Sequence, residues 1–165
     1  MMPIEVTQPS DRQVQVVRTF HAHRQLVWDA HTKPELMQKW CYGYDGWTLP
    51  VCEMDVREGG KYRWRWRSDK DGSEFGFFGA FSEVAAPSKL AHDQYFDPGD
   101  MDYTMPLGDP CLITLELSEA GGVTTLTNTM TFVSKKARDQ ALATGMTDGM
   151  EVGYIRIDDM FKRAA

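Results

Sequence analysis

The sequence predicts an α+β domain, and three observations carry that reading. Apolar and polar residues alternate with period two in seven separate stretches. A proline divides the one early helical region, and the C-terminal tail carries an apolar stripe at spacings of three and four. The order is strand, two short helices, six strands, long terminal helix. With 165 residues, one domain spanning 1–165 is expected, its ordered core running from about 12 to 163. A domain of that size buries roughly 70% of its unfolded surface.

Taken in order, Val14, Val16 and Arg18 alternate with Gln15, Val17 and Thr19 up to Phe20, the pattern of a strand. In the next stretch, Leu26, Val27 and Ala30 suit a short helix. Pro34 followed by Glu35 opens a second one, because proline fits a first helical turn and breaks an interior one. Val51 to Val56 reads as a strand, and the Arg57–Gly60 turn leads into KYRWRWRS. There Lys61, Arg63, Arg65 and Arg67 share one face, and Tyr62, Trp64 and Trp66 the other. Four unpaired cations cannot be buried, so the aromatic face points inward. A turn over Ser68–Ser73 returns the chain along Glu74–Val84, whose adjacent Phe77 and Phe78 leave its inward face open. Lys89–Phe96 follows, then a long loop rich in Pro, Gly and Asp over Asp97–Pro110. Leu112–Leu117 and Val123–Phe132 make a last hairpin. Ser134 is placed to cap a helical tail, on which Met146, Met150, Tyr154, Ile157 and Phe161 form the stripe. Gly145, Gly149 and Gly153 stand beside it at spacing four. Such glycines cost a helix about 1 kcal/mol each, which suggests close approach to a neighbour or room left for a guest, and makes helix continuity near Gly145 doubtful.

Composition narrows the function classes. A hydrophobic share of 42% and an aromatic share of 12% exclude disorder. The net charge of −6 argues against nucleic-acid binding, which needs a basic face to displace counterions. No stretch is long and apolar enough for membrane insertion, and the start lacks the pattern of a signal peptide, so a cytoplasmic location is expected. Cys41, Cys52 and Cys111 form neither a disulfide framework nor a zinc motif, and read as small buried hydrophobes.

Several stretches resemble a known family. RTFHAHRQLVWDAHTKPELMQKW resembles its opening signature, CEMDVREGGKYRW its acidic strand and GG turn, FGAFSEVAAPSKL its strand-turn-strand, and GMTDGMEVGYIRIDDM its terminal helix. The family is the bacterial branch of the SRPBCC, or START-like, superfamily similar to the C-terminal domain of activators of the ninety-kilodalton heat-shock protein ATPase. The resemblance implies a helix-grip (START-like, Bet v 1-like) fold: a curved antiparallel sheet wrapped around the long C-terminal helix, often with a cavity between. Met146 and Met150 stand near where many members carry Gly-Trp, and the Asp97–Pro110 loop is longer than usual, so ligand identity does not carry across.

A curved sheet and one helix close completely only if large side chains fill the gap. Either the aromatics fill it, or they line a cavity. On the second reading the ligand-binding residues are Tyr62, Trp64, Trp66, Phe81, Leu115, Asn128, Met130, Met146, Met150 and Tyr154. Ile113 and Leu117 would contribute to the same wall. The expected function is non-catalytic binding of a small apolar or aromatic ligand, in a carrier or stress-response role, without a cofactor, by a monomer or homodimer. The alternative is a small cyclase- or hydrolase-like enzyme using a carboxylate among Glu53, Asp55, Glu83 and Asp93. Glu53 and Asp55 could equally pair with the Arg63/Arg65 face across the hairpin. Chaperone binding is not expected of a chain this short. His21 and His23 lack a third metal ligand. Asp97, Asp100 and Asp102 lack the glycine and closing glutamate of a calcium loop, and are expected to sit in a solvated loop over the pocket mouth.

Overall fold

A computed structural model of the chain describes residues 4–99 and 108–164. The strands are β1 (Glu5–Thr7), β2 (Gln13–Phe20), β3 (Trp47–Met54) and β4 (Lys61–Ser68), then β5 (Glu74–Ala85), β6 (Lys89–Asp97), β7 (Cys111–Ala120) and β8 (Val123–Thr131). They form one curved, unclosed antiparallel sheet in the order β1-β2-β8-β7-β6-β5-β4-β3. Register shifts between Thr48 and Val51 and between Phe81 and Glu83 interrupt the ladders, and such bulges bend a sheet. The helices are α1 (Arg24–Thr32), α2 (Pro34–Met37), α3 (Lys135–Ala143) and α4 (Met146–Ala164). The fold is the α+β helix-grip arrangement. β1 lies ahead of the ordered core expected from about residue 12, and it pairs Glu5 with Val17 on β2.

Local chemistry explains the helix boundaries. Lys33 is extended (φ −100°, ψ 116°) because the ring of Pro34 disfavours helical backbone before it, so α1 ends there and α2 begins at Pro34. His23, before α1, offers no side-chain cap. Glu119 of β7 substitutes: its Oε1 accepts the Arg24 backbone N–H at 2.6 Å, and its Oε2 meets His23 Nδ1 at 3.2 Å. Ser134 does cap α3, accepting from the Ala137 N–H at 3.0 Å. The tail is nonetheless not one helix. Gly145 takes φ +79°, a left-handed conformation that stops α3 and lets its carbonyl receive the first amides of α4, those of Asp148 and Gly149. The long terminal helix therefore starts at Met146.

The inward faces follow the period-two reading. Val14, Val16, Arg18 and Phe20 of β2 are all buried, as are Tyr62 and Trp66 of β4. On β5, Phe75 and Phe77 face Trp66, whereas Phe78 stacks on Tyr95 instead, which settles the open face of that strand. Two strand arginines are largely withdrawn from solvent. Arg18 is buried under α4 and holds Asp158 at 2.7 Å. Arg65 binds Glu74 at 2.9 Å, Asp97 at 3.0 Å and the Gly99 carbonyl at 2.8 Å, anchoring the end of β6. Arg65 is thus taken by β5 and β6 rather than by the β3 carboxylates. Asp55 pairs with Arg57 in its own turn, and only Glu53 lies opposite its expected partner, Arg63.

Candidate ligand site

Between the concave face of the sheet and α4 lies a hollow of about 510 Å³. Trp64 and Trp66 of β4, Phe75 and Phe77 of β5, and Leu90, His92 and Gln94 of β6 form one wall. Ile113 and Leu115 of β7 continue it, with Asn128 and Met130 of β8. The opposite wall is Met146, Gly149, Met150, Gly153 and Tyr154 of α4, closed at one end by His31, Met37 and Trp40. Tyr42 to Tyr44 and Trp47 complete the lining, and Tyr44 is 53% exposed, which places it at the rim.

The glycines beside the apolar stripe have separate reasons. A side chain on Gly153 would meet the Trp40 ring at 3.1 Å, so that glycine permits close approach. At Gly149 the nearest atom to an added Cβ is the Tyr44 hydroxyl, 4.0 Å away, so that glycine leaves space facing the hollow. Gly145 is needed for its backbone.

Eight of the ten residues expected at the site line the hollow: Trp64, Trp66, Leu115, Asn128, Met130, Met146, Met150 and Tyr154. Phe81 and Tyr62 do not. Phe81 is 1% exposed in the core beneath the wall, where it packs on Tyr62 and His92. Tyr62 turns its hydroxyl to the Asp93 carbonyl at 2.6 Å and borders a separate groove with Glu53, Lys61, Arg63 and Phe78. Leu117 is buried outside the lining. His31, Trp40, Phe75, Phe77 and His92 were missed. The alternation of Leu90, His92 and Gln94 along β6 was a readable signal for His92, whereas nothing local marks His31 or Trp40.

No charged side chain belongs to the lining among the described residues. Glu53, Asp55, Glu83 and Asp93 all lie elsewhere: Glu83 pairs with Lys89 at 3.2 Å, and Asp93 Oδ1 accepts the Ala80 N–H at 2.8 Å. The polar groups of the lining are neutral. His31 Nδ1 lies 2.7 Å from the Val27 carbonyl, which can only accept, so that nitrogen carries the proton. Tyr62 spends its single proton on Asp93, and His92 Nδ1, 3.0 Å from that hydroxyl, must therefore donate to it. Burial pulls both imidazoles down to about 4, leaving them uncharged at neutral pH with Nε2 a bare acceptor. Trp64 Nε1 and Asn128 Oδ1 are buried without a hydrogen-bond partner. Trp66 Nε1, by contrast, donates to the Cys41 carbonyl at 2.8 Å. Burial pushes the Cys41 and Cys111 thiols up to about 12 and Cys52 to about 11, which keeps them protonated and unreactive.

Other features that could suggest chemistry are occupied structurally. His23 pairs with Glu119, and no group of three or more metal-ligating side chains occurs among the described residues. Asp100 and Asp102, and with them the expected cover of the pocket mouth, lie outside the described residues. No described helix is long and apolar enough to cross a membrane.

A curved sheet gripping a C-terminal helix around an uncharged hollow defines a START-like protein. The chain belongs to the family described as Activator of Hsp90 ATPase homolog 1-like protein, which matches residues 21–162. A crystal structure of a Rhodobacter sphaeroides protein is similar over 98% of this chain and 99% of its own, at 27% identity and a TM-score of 0.87. A solution structure from Staphylococcus epidermidis covers 99% of this chain and 96% of its own, with 26% identity and a TM-score of 0.78. A Nitrosomonas europaea protein, 21% identical with a TM-score of 0.80 over 95% of this chain and 98% of its own, shares the fold. No curated protein matches the chain. Family and fold together suggest a ligand-binding or chaperone-related role.

Proposed function

We propose that the chain binds a small, largely apolar molecule in the hollow between sheet and α4, without catalysing a reaction on it. One observation carries the reading: a space of about 510 Å³ is walled by aromatic and methionine side chains with a few neutral polar groups among them. That size, and few polar groups on an apolar wall, are usual for small-molecule sites. Met146 and Met150 supply an adaptable surface, Trp64 a flat one. An enzyme using a carboxylate in this space is disfavoured, because the four candidate acids lie outside the lining. Chaperone binding has no specific feature to support it here.

A thermal-shift and tryptophan-fluorescence screen with lipids and uncharged aromatic rings tests this. At a hundredfold excess over Kd, binding adds about 2.7 kcal/mol, a rise in Tm of about 5–10 °C for a chain of this length. Gly149→Leu, which projects into the space, is expected to abolish the shift. No shift with any compound, or an undiminished one in the Gly149→Leu variant, overturns the proposal.

A further inference from the structure

The donors and acceptors around the hollow restrict what it can hold. Two acceptors stand in the wall: His31 and His92 have committed their one N–H, leaving Nε2 to accept. Trp64 Nε1 and Asn128 Oδ1 lack partners but are covered, and Tyr154 shares a side-chain hydrogen bond with Asn128. No Lys or Arg belongs to the lining among the described residues, and the two arginines behind it, Arg18 and Arg156, already pair with Asp158 and Asp45. Each buried imidazole resists the proton that would make it a cation, which preserves this bias at neutral pH.

Given that the hollow binds a small molecule, as proposed above, we infer that its ligand is a neutral, hydroxyl-bearing aromatic compound, and that carboxylates and other anions are rejected. A hydroxyl both donates and accepts. It can give its proton to an imidazole Nε2 of the wall, which a carboxylate or an ether cannot do. A carboxylate would bring its charge against those acceptors and lose its hydration without a counter-ion, a heavy penalty in an apolar site. An ether offers no proton to acceptors that burial then leaves unsatisfied. The ring system itself suits the indole and phenyl walls.

Four compounds of one shape separate these terms: trans-stilbene, 4-hydroxystilbene, 4-methoxystilbene and stilbene-4-carboxylate, titrated calorimetrically at neutral pH. The phenol is expected to bind about tenfold more tightly than the ether, the effect of one satisfied buried hydrogen bond, and the carboxylate most weakly. His92→Phe and His31→Phe are expected to bring the phenol-to-ether ratio toward one. In the unaltered protein, the Nε2 nitrogen-15 resonance of at least one of these histidines should move upfield with the phenol and stay in place with stilbene. Equal affinity for phenol and ether, tightest binding by the carboxylate, or unmoved histidine resonances on phenol binding overturn the inference while cavity binding stands. Failure of all four compounds to bind removes the inference and counts against the hollow as a binding site.

Discussion

Among the described residues Asp158 is the carboxylate that pairs with Arg18, whose side chain is 1% exposed and whose Nε has no partner. Removing Asp158 would strand a buried cation, so Asp158→Ala is expected to cost about 3 kcal/mol in urea melts, whereas Arg18→Met with Asp158→Leu should recover most of it. The glycines beside α4 are expected to respond with opposite signs. Gly149 is helical with open space at its Cβ, and Gly149→Ala should stabilise by up to about 1 kcal/mol while narrowing the hollow. Gly145 sits at φ +79°, where Gly145→Ala should destabilise by about 1 kcal/mol. Equal effects at the two positions would contradict the assigned roles. The spacing of these glycines was legible, but whether each served a turn, a contact or an empty space was not. That depends on Trp40 and Tyr44, more than a hundred residues earlier in the chain.

Elements were legible wherever their pattern was local. The alternation of β4 fixed its inward face, and Pro34 fixed the break between α1 and α2. β3 begins at Trp47, ahead of the expected Val51, because pairing with β4 extends through Pro50 by way of a bulge. The start of α1 is stabilised from a distance by Glu119, whose carboxyl lies below the usual range because it accepts the Arg24 N–H and a hydrogen bond from His23. Replacing it by Gln keeps an acceptor but loses the charge at the helix N-terminus. Glu119→Ala is expected to lower the melting temperature, and Glu119→Gln to lower it less, measured by thermal melts at neutral pH.

Across the whole molecule, the two buried imidazoles tie stability to pH. Their folded values near 4 lie below the ordinary 6.5, so between those limits the unfolded chain binds protons that the folded one refuses. Stability is therefore full above about pH 6.5 and falls on acidification to about pH 4, by up to about 1.4 kcal/mol per pH unit for each ring. His92→Gln should flatten that slope by about half in urea melts across the window; an unchanged slope would show that other groups set it. The same neutrality keeps the hollow free of cationic side chains, linking acid sensitivity to ligand preference.

The chain by itself determined the element order, the aromatic inward face of β4, the Met146–Phe161 stripe and the family, because each is written in periodicity or in short contiguous motifs. Only the tertiary structure decided that Tyr62 and Phe81 lie outside the hollow while His31, Trp40 and His92 face it. Sheet curvature, the bulges and the hydrogen bonds that choose each imidazole's tautomer arise between residues far apart in sequence. Whether a buried side chain fills the core or borders a space depends on what packs opposite it, and period two cannot specify that.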